Sequence, residues 1–287
     1  MTSLIYATRS EARRGFFASM FSFMPLSFLI IAATAVISLA LLFVAAFYPP
    51  VFGFFALQPS SILHGQKLWT LVTHMFVHGS IFHLFVNMFS LFFIGRIVEQ
   101  IIGRKRFGWF YLIAGLLAGI FSAVLAGFFG YGIGNNLFGA PDILMLGASG
   151  ALFGLVGILA VLIPDKKATL IMGPIVAIVL QVVLEPFLPP FLFSIVSIAI
   201  SIAIFAMIFA MFFPFGIFYR IALPVTLPLW AIPIIAIAPL VAISFFVQLP
   251  IGNAAHFGGL LAGLAYGFYL RKKYRKKIML LRNFFRK

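Results

Sequence analysis

Four polar residues stand in otherwise apolar stretches: His83 and Asn87 in "HLFVNM", Ser149 in "LMLGASGALFG" and His256 in "NAAHFGG". A serine beside a histidine is the minimum for an activated nucleophile. His83 and Asn87 are spaced i, i+4, which puts them on one helical face, one turn apart, able to donate toward one point. Acyl transfer needs such donors at its developing oxyanion, where each is worth roughly 3 to 4 kcal/mol. Taken singly, each residue has a plainer explanation. The His83/Asn87 pair alone reads better as interhelical glue worth about 0.6 to 2 kcal/mol, and a lone membrane serine bonds its own backbone or lets helices approach. Polar groups within a membrane segment are nonetheless a functional signal by default.

The glycines around them tie the four together. Gly150, Gly154 and Gly157 clear one face after Ser149, while Gly259, Gly263 and Gly267 recur every four residues after His256. That spacing marks tight helix contact. If the two faces meet, Ser149 and His256 come into register near the start of both helices. The five acids are Glu11, Glu99, Asp142, Asp165 and Glu185, and none is well placed to orient His256 as a triad carboxylate would. A Ser–His dyad is therefore expected, with the ring of Phe153, one turn after Ser149, holding the imidazole by face contact.

The elements that must position these residues follow from composition. The 287 residues are 64% hydrophobic and 9% charged, with no cysteine and a net charge of +15. A globule has no polar skin to make from that composition, and several runs reach the roughly 20 apolar residues that cross a hydrocarbon core about 30 Å thick. An all-α, polytopic transmembrane bundle is expected, with about eight spans: 26–47, 82–102, 108–129, 148–163, 168–186, 190–213, 228–247 and 253–271. The fifth and sixth read alternatively as a re-entrant hairpin, since Pro174 interrupts one and Pro189-Pro190 crowd their connection. The apolar connection 48–81 is expected to lie at the interface rather than run bare through lipid.

Lys and Arg set the orientation. With the N-terminus inside, Arg9, Arg13, Arg14, Arg104–Arg106, Lys166, Lys167, Arg220 and the tail from Arg271 all fall inside, leaving only Lys67 outside. The basic charge is then an anchor facing anionic lipid, worth about 1 kcal/mol per residue near the surface, and not a nucleic-acid footprint. The chain reads as one membrane domain over 1–287. Within it, 1–25 is a cytoplasmic amphipathic segment, 165–213 an inserted hydrophobic hairpin and 272–287 a basic cytoplasmic tail.

At these residues the sequence resembles the rhomboid family of intramembrane serine proteases. The resemblance covers His83-x-x-x-Asn87, Gly147-x-Ser149-Gly150 and His256 with its glycines. It extends to His74 and His78 and to Gly95-x-x-x-Glu99-x-x-x-Gly103, so it spans roughly 60–163 and 228–271. It implies a six-helix core carrying a two-helix insertion. It implies Ser149 as nucleophile, His256 as general base and then acid, and His83, Asn87 and the Ser149 N–H as oxyanion hole, with Gly147, Gly150, Phe153, Gly259 and Gly263 in support. Substrates would be transmembrane proteins cut in or beside their span near the outer leaflet, in a multi-pass cell-membrane enzyme with both termini cytoplasmic. No metal or organic cofactor is implied. Two departures stand out: Trp69-Thr70 replaces the family's frequent Trp-Arg, and Phe153 stands where many members have tyrosine.

Rival readings fare worse. His74, His78 and His83 cluster, but no H-E-x-x-H zinc motif is present, and His74 and His78 read as supports for the loop and the top of the second span. An aspartyl protease needs two acids at membrane depth. A transporter would place ionisable residues midway along the bundle, and a non-catalytic relative would be expected to lack Ser149 or His256.

Overall fold

The computed structural model describes residues 24–211, 216–246, 248–249 and 252–286. Arg9, Arg13, Arg14 and Glu11 lie outside them. Among the described residues, four helices are long and apolar enough to cross a membrane: α1 (Leu26–Ala45), α2 (Ile81–Ile102), α3 (Arg104–Phe129) and α6 (Pro190–Phe209). In α1 the pattern of a soluble helix is reversed. Its buried residues are Ser27, Thr34, Ser38 and Leu41, while Val36, Leu39 and Phe43 are exposed. Lipid is as apolar as leucine, so small polar residues mark the face that meets protein.

The helix that begins at Ser149, α4 (Ser149–Leu162), has only 14 residues, nearly all buried. At 1.5 Å per residue it is about 21 Å long, short of a hydrocarbon core about 30 Å thick. A helix ringed by protein has no need to match the bilayer. Around it stand α3 and α8 (Asn253–Lys273), the latter running parallel to it in close contact. α3 also receives the connection that precedes α2: its Gly115, Gly119 and Gly127 face Met75, His74 and Leu63. The segment 48–80 thus packs on protein through a series of short helical turns, while Trp69, Leu68 and Phe54 on its other side are exposed.

The inserted region departs from two full spans. Residues Lys167–Ile171 form β1, paired antiparallel with β2 (Pro224–Pro228), and only then does α5 (Gly173–Leu184, 12 residues) begin. The expected span 168–186 is therefore a strand plus a short helix. The span expected at 228–247 is α7 (Ile232–Ser244), 13 residues long. Pro224, Pro228 and Pro233 account for this: each removes a backbone N–H and disfavours helix in the residue before it, and the ladder pairs the groups that helix cannot. α5 and α6 form a hairpin, joined by Gln181 Nε2 donating to Ser197 Oγ at 2.8 Å. Ile204, Met207 and Ile208 of α6 pack on Phe82, Phe85, Val86 and Phe89 of α2.

Beyond α8 the chain breaks at Tyr274 and resumes as α9 (Arg275–Arg286). Its Ile278 is buried in the main core with Ile163 and Leu270.

Candidate active site

The turn before Ser149 is built by backbone. Leu57 and Met145 exchange both N–H···O bonds, at 2.8 and 2.7 Å, and Gly147 N–H donates to His74 O at 2.8 Å. Gly147 has φ +115°, a conformation that L side chains rarely adopt, and an added Cβ would stand 2.7 Å from His83 Cε1 and 2.8 Å from Nε2. Only glycine serves there. As the first residue of α4, Ser149 has a backbone N–H with no partner in its own helix, at the end where the helix dipole favours negative charge.

The second element brings the imidazole. Against α4, a Cβ on Gly259 would collide with Gly150 O, and one on Gly263 with Gly154 O. The glycine faces meet in parallel register, as the spacing predicts. His256 Nε2 lies 2.7 Å from Ser149 Oγ. Phe153 stacks on the imidazole with centroids 4.4 Å apart and planes 25° apart. Ser149, His256, Phe153 and the flanking glycines are thus gathered at one place.

His83 and Asn87 occupy the first turns of α2. The His83 ring packs edge-on against His78 at 4.9 Å, over Gly147 and so two residues before Ser149. Asn87 is buried, with Nδ2 donating to His83 O at 2.9 Å and Oδ1 lacking a partner. Buried polar atoms are rarely left unpaired, and this one adjoins the histidine that faces the serine turn.

Two supports were not legible in the sequence beyond the presence of their residues. The first is a relay. Ala148 N–H donates to His78 Nε2 at 3.4 Å, and His78 Nδ1 is 3.0 Å from Ser38 Oγ. A backbone N–H can only donate, so Nε2 is unprotonated and Nδ1 carries the proton, which goes to Ser38 Oγ. Ser38 Oγ passes its own proton to Phe76 O at 3.0 Å. This fixes the tautomer and ties α1 to the residue before Ser149. Burial holds His78 down to about 3 and His74 to about 4, so both are neutral supports.

The second support is Glu99, near the far end of α2. Its Oε1 accepts Leu26 N–H at 2.7 Å, and its Oε2 accepts Ser27 N–H at 2.9 Å and Ser27 Oγ–H at 2.8 Å. It caps the N-terminus of α1, where orphan amides and the helix dipole favour an anion. Glu99 therefore joins α1 to α2 at the end remote from Ser149 and His256. The loop around Trp69-Thr70 is anchored by side chains on backbone. Lys67 Nζ, Trp69 Nε1 and Thr73 Oγ1 donate to the successive carbonyls of Gly53, Phe54 and Phe55. Among the described residues, no group of three or more acids and histidines is placed to hold a metal ion.

A membrane bundle with a serine–imidazole pair at the head of a short, protein-ringed helix defines a class, and comparison with known proteins agrees. The family model "Rhomboid domain" matches residues 65–196 and 175–273, two stretches that overlap within the inserted hairpin. The chain belongs to the rhomboid family. It is 39% identical over 102 residues to RHOMBOID-like protein 1 of Arabidopsis thaliana, covering 36% of this chain and 23% of that one. To the rhomboid protease GluP of Bacillus subtilis it is 32% identical over 114 residues, 39% of this chain and 20% of that one. To inactive RHOMBOID-like protein 8 of A. thaliana it is 26% identical over 97 residues, 34% of this chain and 24% of that one. The matched stretches span about a quarter of these relatives' length.

Proposed function

We propose that this rhomboid is an active intramembrane serine endopeptidase, cutting membrane-protein substrates in or beside their spans. The observation that carries the reading is the 2.7 Å contact between Ser149 Oγ and His256 Nε2, with Phe153 stacked on the ring. A relative that had lost activity would have no reason to keep a hydroxyl and a buried imidazole in hydrogen-bond contact.

In this reading Ser149 Oγ attacks the scissile carbonyl carbon as its proton passes to His256 Nε2. The carbonyl oxygen becomes an anion received by His83, Asn87 and the Ser149 N–H. Collapse expels the amine, which takes the proton from Nε2. Water then attacks the acyl-serine by the same route and restores Ser149. The Phe153 face steadies the ring and favours the imidazolium through its quadrupole. Glu99 is engaged at α1 and Asp142 accepts from Ser60 Oγ at 2.6 Å, so the pair works as a dyad.

The Lys/Arg distribution supports a cell-membrane protein with cytoplasmic termini and a site opening toward the outer side. The test is purified protein in lipid vesicles with a labelled single-span substrate, together with fluorophosphonate labelling of Ser149. Wild type cleaves and is labelled; Ser149→Ala and His256→Ala do not cleave. Cleavage at the wild-type rate by either variant would overturn the dyad.

A further inference from the structure

The catalytic helix has a second end, and it is held by the tail. Arg282 Nε donates to Leu162 O at 3.1 Å and its terminal guanidinium nitrogen to Val161 O at 2.7 Å. These are carbonyls of the last turn of α4, which have no partner within the helix and sit at its negative dipole end. The tail reaches that turn because α9 doubles back after Tyr274. Arg106 pins the break, donating to Tyr274 Oη at 2.7 Å and stacking over its ring at 4.8 Å. Ile278 and Leu281 then hold α9 against the core. The helix thus packs at the end of α4 remote from Ser149.

Its outward side is of another character. On α9, Arg275, Lys276 and Lys277 are exposed, as are Arg271, Lys272 and Lys273 in the last turn of α8 before it, and no acid follows Glu185 in the sequence. Met279 and Leu280 are also exposed, at 57% and 68%, and Lys276 and Leu280 share one face at i, i+4. Cations interleaved with bare apolar residues on a helix packed at the end of α4 suit an interfacial helix on an anionic membrane surface. Arg275, Lys276 and Lys277 are exposed, and Met279 and Leu280 supply the insertion that a soluble anion could not use.

We propose that α9 docks on anionic phospholipid headgroups, and that this docking is transmitted through Arg282 to α4 and so to Ser149. Seating the helix on the membrane holds the guanidinium under the final carbonyls, and α4, a rod of four turns, keeps its first turn in register with His256. The regulatory part rests on the protease reading above; the docking part does not.

The test is amide exchange on the full chain in three preparations: phosphatidylcholine vesicles, the same with phosphatidylglycerol added, and the first with soluble glycerophosphate. In wild type, phosphatidylglycerol alone slows exchange in 275–286 and in the first turn of α4, and raises turnover. Each surface cation contributes about fivefold to membrane partition, so the Arg275→Gln/Lys276→Gln/Lys277→Gln variant loses about a hundredfold and both responses vanish. Arg282→Ala keeps protection of 275–286 and loses the response at 149–152. Equal protection without anionic lipid, or by soluble glycerophosphate, overturns the docking. An unchanged α4 response in Arg282→Ala overturns the coupling. Absence of turnover in every preparation removes the protease reading and leaves the exchange result to decide this one.

Discussion

Gly259 and Gly150 meet backbone to backbone: a methyl group added at Gly259 would overlap the Gly150 carbonyl. The contact lies one turn from His256 and one residue from Ser149, so the helix separation that glycine allows also sets the distance between Ser149 Oγ and His256 Nε2. Gly259→Ala is expected to cost about 1 to 3 kcal/mol through overpacking. It should also lower kcat about a hundredfold if it parts the pair by an ångström. Gly267→Ala, three turns from His256, meets the Val161 side chain at 2.9 Å rather than a backbone carbonyl, so it should destabilise less while kcat stays close to wild type. Thermal unfolding beside turnover separates the two effects.

His83→Ala and Asn87→Ala test the oxyanion assignment. Each should lower kcat by about one to three orders of magnitude, with KM little changed, because the interaction forms only as charge develops. Ser149 labelling by an uncharged alkylating probe should persist. Unchanged kcat in both variants would return the pair to the role of helix glue.

Glu99→Gln removes the anion that caps α1 while keeping its shape. Hydrogen bonds to a charged group contribute about 1.5 to 3 kcal/mol each in net terms, so a fall in unfolding temperature is expected. Because Glu99 is remote from the dyad, turnover well below that temperature should be near wild type. A large loss of kcat without a loss of stability would contradict the clasp role.

Acid should destabilise the loop that carries His74 and His78. Burial holds His74 to about 4 and His78 to about 3 in the folded chain, against about 6.5 when unfolded. Between those values the unfolded chain binds more protons, so their contribution is complete above about pH 6.5 and is lost as pH falls toward 4 and 3. His78→Phe, which retains bulk without titrating, should flatten part of that slope. Ser38→Ala should cost about 1 kcal/mol and couple to His78→Phe in a double-mutant cycle. An identical pH slope in His78→Phe would refute the assignment to His78.

Much of the site was legible because its signals are local. Polar residues are conspicuous in a chain this apolar, and spacings of four report helical faces whatever surrounds them. The inserted region was less legible. Hydropathy treats "KATLIMG" and "PVTLPLW" as generic apolar runs, and short runs do not distinguish strand from helix. The ladder Lys167–Ile171 with Pro224–Pro228 exists only because a distant partner is present. The span expected at 148–163 agrees with α4, Ser149–Leu162, whereas the span expected at 228–247 was too long: Pro224–Pro228 is taken into the ladder, and α7 begins only at Ile232.

The amino-acid pattern alone thus determined the class, the four polar residues and the two glycine faces that bring Ser149 to His256, since composition and periodicity act within each helix. Tertiary structure decided what braces them: Glu99 on α1, Ser38 through His78 on Ala148, and Arg282 beneath α4. Each joins residues 40 or more positions apart, and a hydrogen bond of that kind depends on which faces meet. No single segment carries that information, because the partner that satisfies a buried polar group is chosen by packing.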